Sequence, residues 1–218
     1  MRRFELVKWY KDKLLQEFDK NWYDDYAPEL WEDDGDYDYK DRYANDFDEF
    51  INSVKPKRSH IGDAGYDFLA IEDVVIPSLP LAIVDNLNIS KKLTIENFYD
   101  DFQLAFSLTS NSLKPTIVRT GIKAKMGDDE VLKLYIRSNM PNKKCLILPQ
   151  GAGIIDSNYY NNEGNEGEIF FCYYNLGFTD ITLLRGDRIG QGIFQKYLIT
   201  DDDSAVETRK GGLGSSGE

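Results

Sequence analysis

From Val54 to its end, the chain is cut into short β-rich runs by Gly, Pro, Asn and Asp. The runs are Asp73–Ile76, Thr116–Ile122, Val131–Ile136, Cys145–Leu148, Glu168–Tyr174, Asp180–Leu184 and Arg188–Tyr197. Leu132, Leu134 and Ile136 alternate with Lys133, Tyr135 and Arg137, the period of a half-buried strand. Many short strands with polar turns predict an all-β sandwich, barrel or jelly roll. Ahead of them, Arg3–Val7 reads as a strand. Leu14, Leu15 and Phe18 give Lys11–Phe18 helical spacing. Two segments interrupt the β pattern, residues 19–50 and 79–111. Within the second, Leu93–Leu108 has the length of a helix or an extra strand pair. No internal repeat is present.

Charge is unevenly placed. The 218 residues carry a net −12. Between Asp19 and Phe50 there are 13 acids and 3 bases, so almost all of the excess lies there. A broad nucleic-acid-binding surface is excluded on bulk electrostatics, whereas a small anionic substrate is not. The same stretch holds nine aromatic residues, Trp22, Trp31 and Phe47 among them. Acidic linkers are poor in aromatics. The stretch is therefore either an insert that binds a partner or a small subdomain packed on its host.

No apolar run approaches the roughly 20 residues that span a bilayer. Val74–Val84 is broken by Pro77 and Pro80, and Glu5 and Lys8 interrupt any signal-peptide core near the start. A cytoplasmic protein without a membrane partner is expected. Cys145 and Cys172 form no C-x-x-C pattern and His60 is the single histidine. A disulfide framework and a Cys- or His-rich metal site are excluded. Any metal should be a hard, oxygen-bound ion such as Mg²⁺.

Four segments concentrate Gly, Asp, Arg and Ser inside this β-rich frame. In Gly62–Ala70, Gly65 allows close backbone approach and Asp67 follows a turn. The same pattern suits a strand start with a locally bonded Asp. Tyr135–Asn139 ends a strand in Arg137, Ser138 and Asn139. That set suits a phosphate through a two-pronged guanidinium, or a surface ion pair beside a turn. Pro149–Tyr160 leads from a Gly-rich approach to Ile154, Ile155 and Asp156. It can present backbone groups to a planar base, or form an ordinary turn. Glu207–Gly217 joins Arg209 and Lys210 to a Gly/Ser tail. It reads as an anion-wrapping arm or a plain flexible terminus.

Taken in order, these segments resemble the motifs of the trimeric dUTP diphosphatases, the dUTPases. Ala64-Gly65-Tyr66-Asp67-Phe68-Leu69-Ala70 resembles the first and Arg137-Ser138-Asn139 the second. Gly153-Ile154-Ile155-Asp156-Ser157-Asn158-Tyr159 resembles the third. Arg185-Gly186-Asp187-Arg188-Ile189-Gly190-Gln191 resembles the fourth, and Arg209–Gly217 the fifth. The likeness is strongest to phage and Gram-positive bacterial members. It implies a distorted β-barrel or jelly roll forming one domain over residues 1–218. That domain would carry the insertions at 19–50 and 79–111 and a C-terminal active-site arm at 207–218. It also implies a homotrimer whose sites are shared. Motifs one, two and four would come from one chain, the third from a neighbour and the fifth from the remaining one.

The implied reaction is dUTP plus water giving dUMP and pyrophosphate. Such an enzyme limits uracil in DNA and supplies dUMP for dTTP synthesis. By the resemblance, Asp156 orients the attacking water. Gln150, Ile154 and Ile155 read the uracil edge, and Tyr159 packs on the deoxyribose. Arg137, Ser138, Asn139 and Gln191 meet the phosphates, and Arg209, Leu213, Gly214 and Ser215 close over them. Mg²⁺ rides on the triphosphate and water, with Asp67 at most reaching it through water and no direct protein ligand. Asn158, Asn139, Gly190 and Leu213 depart from the family pattern, and Gly190 in place of Ala reads as a mild change. A dUTPase-like regulator whose 19–50 insert engages a repressor is the alternative. dCTP deaminase, which shares the fold, is disfavoured by Asp156, Tyr159 and the tail.

Overall fold

The computed structural model describes residues 1–26, 39–89, 103, 107 and 114–205. Its strands are β1 (Arg3–Leu6), β2 (Tyr66–Leu69), β3 (Val74–Ile76), β4 (Thr116–Arg119), β5 (Ile122–Lys125) and β6 (Glu130–Ile136). Then come β7 (Leu146–Ile147), β8 (Gly153–Asp156), β9 (Phe170–Asn175), β10 (Ile181–Leu183) and β11 (Arg188–Lys196). Helices are α1 (Lys8–Tyr26), α2 (Tyr39–Val54), α3 (Leu79–Ile89) and α4 (Asn139–Lys144). The strands form an antiparallel sheet in the order β2-β11-β6-β8, a second of β4-β9-β7, and the pairs β1-β5 and β10-β3. Among the described residues these sheets do not close into a barrel.

Alternation builds the core. On β6, Leu132 and Leu134 point inward, and on β9 Phe171 and Tyr173 do the same. Phe68, Val118, Leu146, Leu183 and Ile189 complete one hydrophobic cluster. The Thr116–Ile122 run does not stay one strand. Thr120 donates its hydroxyl to the Ile169 carbonyl (2.6 Å) and accepts from the Ile122 N–H (3.2 Å). Gly121 then turns the chain at φ +63°, where any side chain would also collide with the Tyr10 ring. The run is thereby split between two sheets.

Helix α1 is longer than its apolar spacing predicts and runs into the acidic stretch. It starts where the Lys8 N–H, one of the helix's free donors, reaches Glu166 Oε2 at 3.1 Å. The Phe18 ring lies 5.2–5.5 Å from those of Tyr43, Phe47 and Phe50 on α2. Leu14 and Ile51 are buried in the core. Near the described ends of the 19–50 stretch, α1 and α2 thus pack on each other and, through Phe47 and Phe50, on the core. Residues 27–38 lie outside the described residues. Helix α3 opens the second interruption, with Ser78 as its cap: Ser78 Oγ accepts from the Leu81 N–H at 3.1 Å. The expectation for Leu93–Leu108 lies outside the described residues apart from 103 and 107. No described helix is long and apolar enough to cross a membrane.

Candidate functional site

The four-stranded sheet carries the first four motif segments. Asp67 is on β2, Arg188 and Gln191 are on β11, Arg137 follows β6, and Ile154–Asp156 lie on β8. In register, Gln191 stands opposite Asp67 on one side and Tyr135 on the other. Cross-strand partners share a face, so these three side chains leave the sheet together, away from buried Phe68 and Leu134. Arg188 and Gln191 are three positions apart and would ordinarily point to opposite faces. A register shift between Arg188 and Gly190 corrects this, and both come to the face of Asp67.

Asp67 is the hub of that face. Its Oδ1 lies 3.1 Å from Arg137 Nε, and its Oδ2 lies 3.4 Å from Arg188 Nη1. Ser59 Oγ donates to the same Oδ2 at 3.3 Å and accepts from Arg188 Nη1 at 3.3 Å. Gly65 is fitted to this cluster, because a Cβ there would overlap the Gln191 carboxamide. Ser138 is exposed and already helical at φ −56°, ψ −29°, and it leads into α4. The Oδ1 of Asn139 is a buried acceptor with no partner among the described residues. Arg188 and Ser59 were not singled out from the sequence. Arg188 lies within the fourth motif, whereas Ser59 joins through a turn that no spacing reveals.

A second hollow, about 360 Å³, opens beside β8 and β9. Gln150, Ile154, Ile155 and Tyr159 line it, as do Phe170 and Cys172, which the sequence did not mark. Gly151, at φ +69°, turns the chain into β8. Tyr159 is buried with a fixed hydroxyl: it donates to the Glu168 carbonyl (3.0 Å) and accepts from Asn165 Nδ2 (2.7 Å). Burial pushes the Cys172 thiol pKa up, partly offset by a hydrogen bond with Gln150. Asp156 is exposed at the end of β8, just ahead of a 3₁₀ turn over Ser157–Tyr159. Arg209, Leu213, Gly214 and Ser215 lie outside the described residues.

No family model matches the chain. The deoxyuridine 5'-triphosphate nucleotidohydrolase of Lactococcus lactis is 37% identical over 133 residues, which are 60% of this chain and 89% of that relative. The chain belongs to the dUTPase family. The namesake from Escherichia coli DH10B is 29% identical over 108 residues, 47% of this chain and 68% of its own. In structure, the dUTPase of Streptococcus mutans superposes with a TM-score of 0.51 at 32% identity, covering 69% of this chain and 91% of that one. The β-rich frame is thus the dUTPase jelly roll, and helices α1 and α2 run into the 19–50 stretch from either side.

Within that dUTPase frame one departure proves larger than its chemistry suggests. Gly190 in place of the family Ala is not a mild change here, because a Cβ at 190 would overlap the buried Phe171 ring. Asp156 and the cationic cluster around Asp67 also sit far apart along β6. Asp156 pairs with Val131 near its start, whereas Arg137 follows Ile136 at its end. Six residues of strand separate the two, roughly 20 Å at about 3.3 Å per residue.

Proposed function

We propose that this dUTPase hydrolyses dUTP to dUMP and pyrophosphate at sites shared between chains of a homotrimer. The observation that carries this reading is the separation along β6. A water directed by Asp156 at the α-phosphate and the cationic cluster around Arg137 must act on one nucleotide. Within a single chain they stand at opposite ends of a strand, beyond the reach of one triphosphate. A neighbouring chain that brings its Arg137 end to the β8 end of the first removes the conflict. The arm at 207–218 closes over the assembled site, and residues 1–218 then act as one domain in the cytoplasm.

In this reading the second hollow takes the uracil. Gln150 supplies an amide donor and acceptor for the base edge. The strand of Ile154 and Ile155 supplies backbone groups and an apolar wall, and Tyr159 bounds the sugar. Donors left unpaired by cytosine cost about 1–3 kcal/mol each, which gives such a wall its selectivity. Asp156 accepts the proton of the water as its oxygen bonds to the α-phosphorus. The bond to the bridging oxygen breaks and pyrophosphate leaves. Gln191, Arg137, Ser138 and Asn139 hold the phosphates.

dUTP enters as its Mg²⁺ complex, with the ion on phosphate oxygens and water. The donor chemistry suits this. The acid at the centre of the phosphate face, Asp67, is committed to two guanidinium groups, and no group of three potential metal-binding side chains occurs among the described residues.

The test is pyrophosphate release from dUTP, dTTP, dCTP and UTP with Mg²⁺, together with ammonia release from dCTP. Preference for dUTP without ammonia is expected, from a particle three times the 25.1 kDa chain mass. Turnover by a monomer would overturn the shared site.

A further inference from the structure

A second group of cations lies beside the Asp67 face, in residues that none of the five motifs contains apart from Asp67, Leu69 and Arg188. Where α2 ends and the chain turns toward β2, a hollow of about 290 Å³ opens. Lys55, Lys57, Arg58 and Arg188 line it against a single carboxylate, Asp67, and Ser53 and Ser59 add hydroxyls. That carboxylate is already shared between Arg137 and Arg188. In a chain of net charge −12, this is a local inversion of sign.

Apart from Arg188, which shares Asp67 with Arg137, the cations are held in place but not neutralised. Lys57 is pinned beside Asp67 by a backbone bridge, the Asp67 N–H donating to the Lys57 carbonyl at 2.8 Å. Its ammonium has no ion pair among the described residues. Lys55 Nζ is satisfied only by the neutral Asn52 Oδ1 at 2.9 Å. Arg58 donates Nη1 to the Asp63 carbonyl at 3.0 Å and rests over the Tyr66 ring. Cations gathered in a concave site with one shared counter-charge still repel one another, and an anion relieves that repulsion. Two Lys point charges beside two Arg forks are the donor set that phosphate oxygens take. The hollow is too small for a polyanion chain, and its several cations exceed what one phosphoryl group needs.

We propose that this hollow binds a pyrophosphate-class oxyanion. Its sources are the terminal phosphoryl pair of a bound nucleotide or free pyrophosphate. The first rests on the function proposed above, and the second does not.

The experiment uses the full chain. Inorganic pyrophosphate and inorganic phosphate are each titrated by calorimetry into the parent, Lys57→Glu and Lys57→Arg proteins. Pyrophosphate should bind the parent more tightly than phosphate. Lys57→Glu should weaken pyrophosphate at least tenfold while dUMP affinity and the urea midpoint hold, and Lys57→Arg should restore most of the loss. A tenfold rise in KM for dUTP in Lys57→Glu assigns the site to the nucleotide. An unchanged KM with lost pyrophosphate affinity assigns it to the free anion. Equal pyrophosphate affinity in parent and Lys57→Glu, or no binding to the parent, overturns the proposal. A parent that binds pyrophosphate but turns over no dUTP would sink the proposed enzymatic reading and leave this one standing.

Discussion

Gly190 and Phe171 are shaped to one another: the Phe171 ring fills the space that a side chain on β11 would take at position 190. Phe171 is buried on β9, so the ring has little room to retreat. Gly190→Ala, which restores the family residue, should therefore destabilise the fold by about 1–3 kcal/mol, the usual cost of overpacking a filled core. Urea denaturation of the single variant gives that value. Pairing it with Phe171→Leu should return part of the loss. Strictly additive effects in the double-mutant cycle would show that the two residues are not coupled.

The described ends of the acidic stretch behave as host structure. Within it, Phe47 and Phe50 of α2 pack against the core, with their rings 5.2 and 5.5 Å from Phe18 of α1, and the flanking Leu14 and Ile51 are buried. Removing residues 19–50 would uncover that surface. We expect the deletion to lose cooperative unfolding and hydrolysis together. Leu14→Ala alone should cost about 3–5 kcal/mol. A deletion variant that melts like the parent and hydrolyses dUTP would show instead that the stretch is a dispensable appendage.

Much of this was legible in the residues, for reasons that differ by feature. Strand alternation at Leu132–Ile136 is written directly in the sequence, because a half-buried strand needs it. The motif segments are legible because each needs a particular residue for turn geometry or charge. The register shift between Arg188 and Gly190 is not. It arises from how β11 meets β2, and without it Arg188 and Gln191 would point to opposite faces. Ser59, Phe170 and Cys172 join their hollows only through tertiary packing. At the break over Thr120–Gly121, the residue that demands a glycine is likewise distant in sequence, since the Tyr10 ring fills the space of a side chain at 121.

Acid should loosen the start of α1. The Lys8 backbone N–H, against the opposing effect of burial and with help from the Lys123 ammonium, holds the Glu166 carboxyl below its ordinary pKa. A carboxylate depressed in the folded state contributes stability above its unfolded value, about 4.3, and that contribution is lost as pH falls through the folded value. The melting temperature should drop as pH is lowered below about 4. Glu166→Gln keeps an acceptor for Lys8 but cannot titrate, so its melting temperature should fall less steeply. Identical slopes for the two proteins would remove Glu166 from the account.

Asp156 carries the sharpest kinetic expectation. A positioned general base contributes about 10²–10⁴-fold, and Asp156→Asn keeps the shape of the side chain while removing the basic oxygen. Single-turnover hydrolysis of dUTP should fall by that factor, with nucleotide affinity kept, because base and phosphates are held by other residues. A rate within tenfold of the parent would mean that another group directs the water.

Tyr159 does two separable things, and two variants divide them. Its hydroxyl satisfies the Glu168 carbonyl and the Asn165 amide, whereas its ring borders the hollow assigned to the nucleoside. Tyr159→Phe removes only the hydroxyl and leaves the buried Glu168 carbonyl with just the longer bond from Asn165 Nδ2, at 3.4 Å. It should lower stability by about 1–3 kcal/mol while the preference for dUTP over UTP persists. Tyr159→Ala removes the ring as well, so the space against the sugar opens and UTP should compete. Because the second variant is also the less stable, selectivity is best read as the ratio of kcat/KM values at a temperature where both remain folded. A ratio unmoved in Tyr159→Ala would place the sugar elsewhere. A ratio that collapses already in Tyr159→Phe would show that the hydroxyl, not the ring, excludes the ribonucleotide.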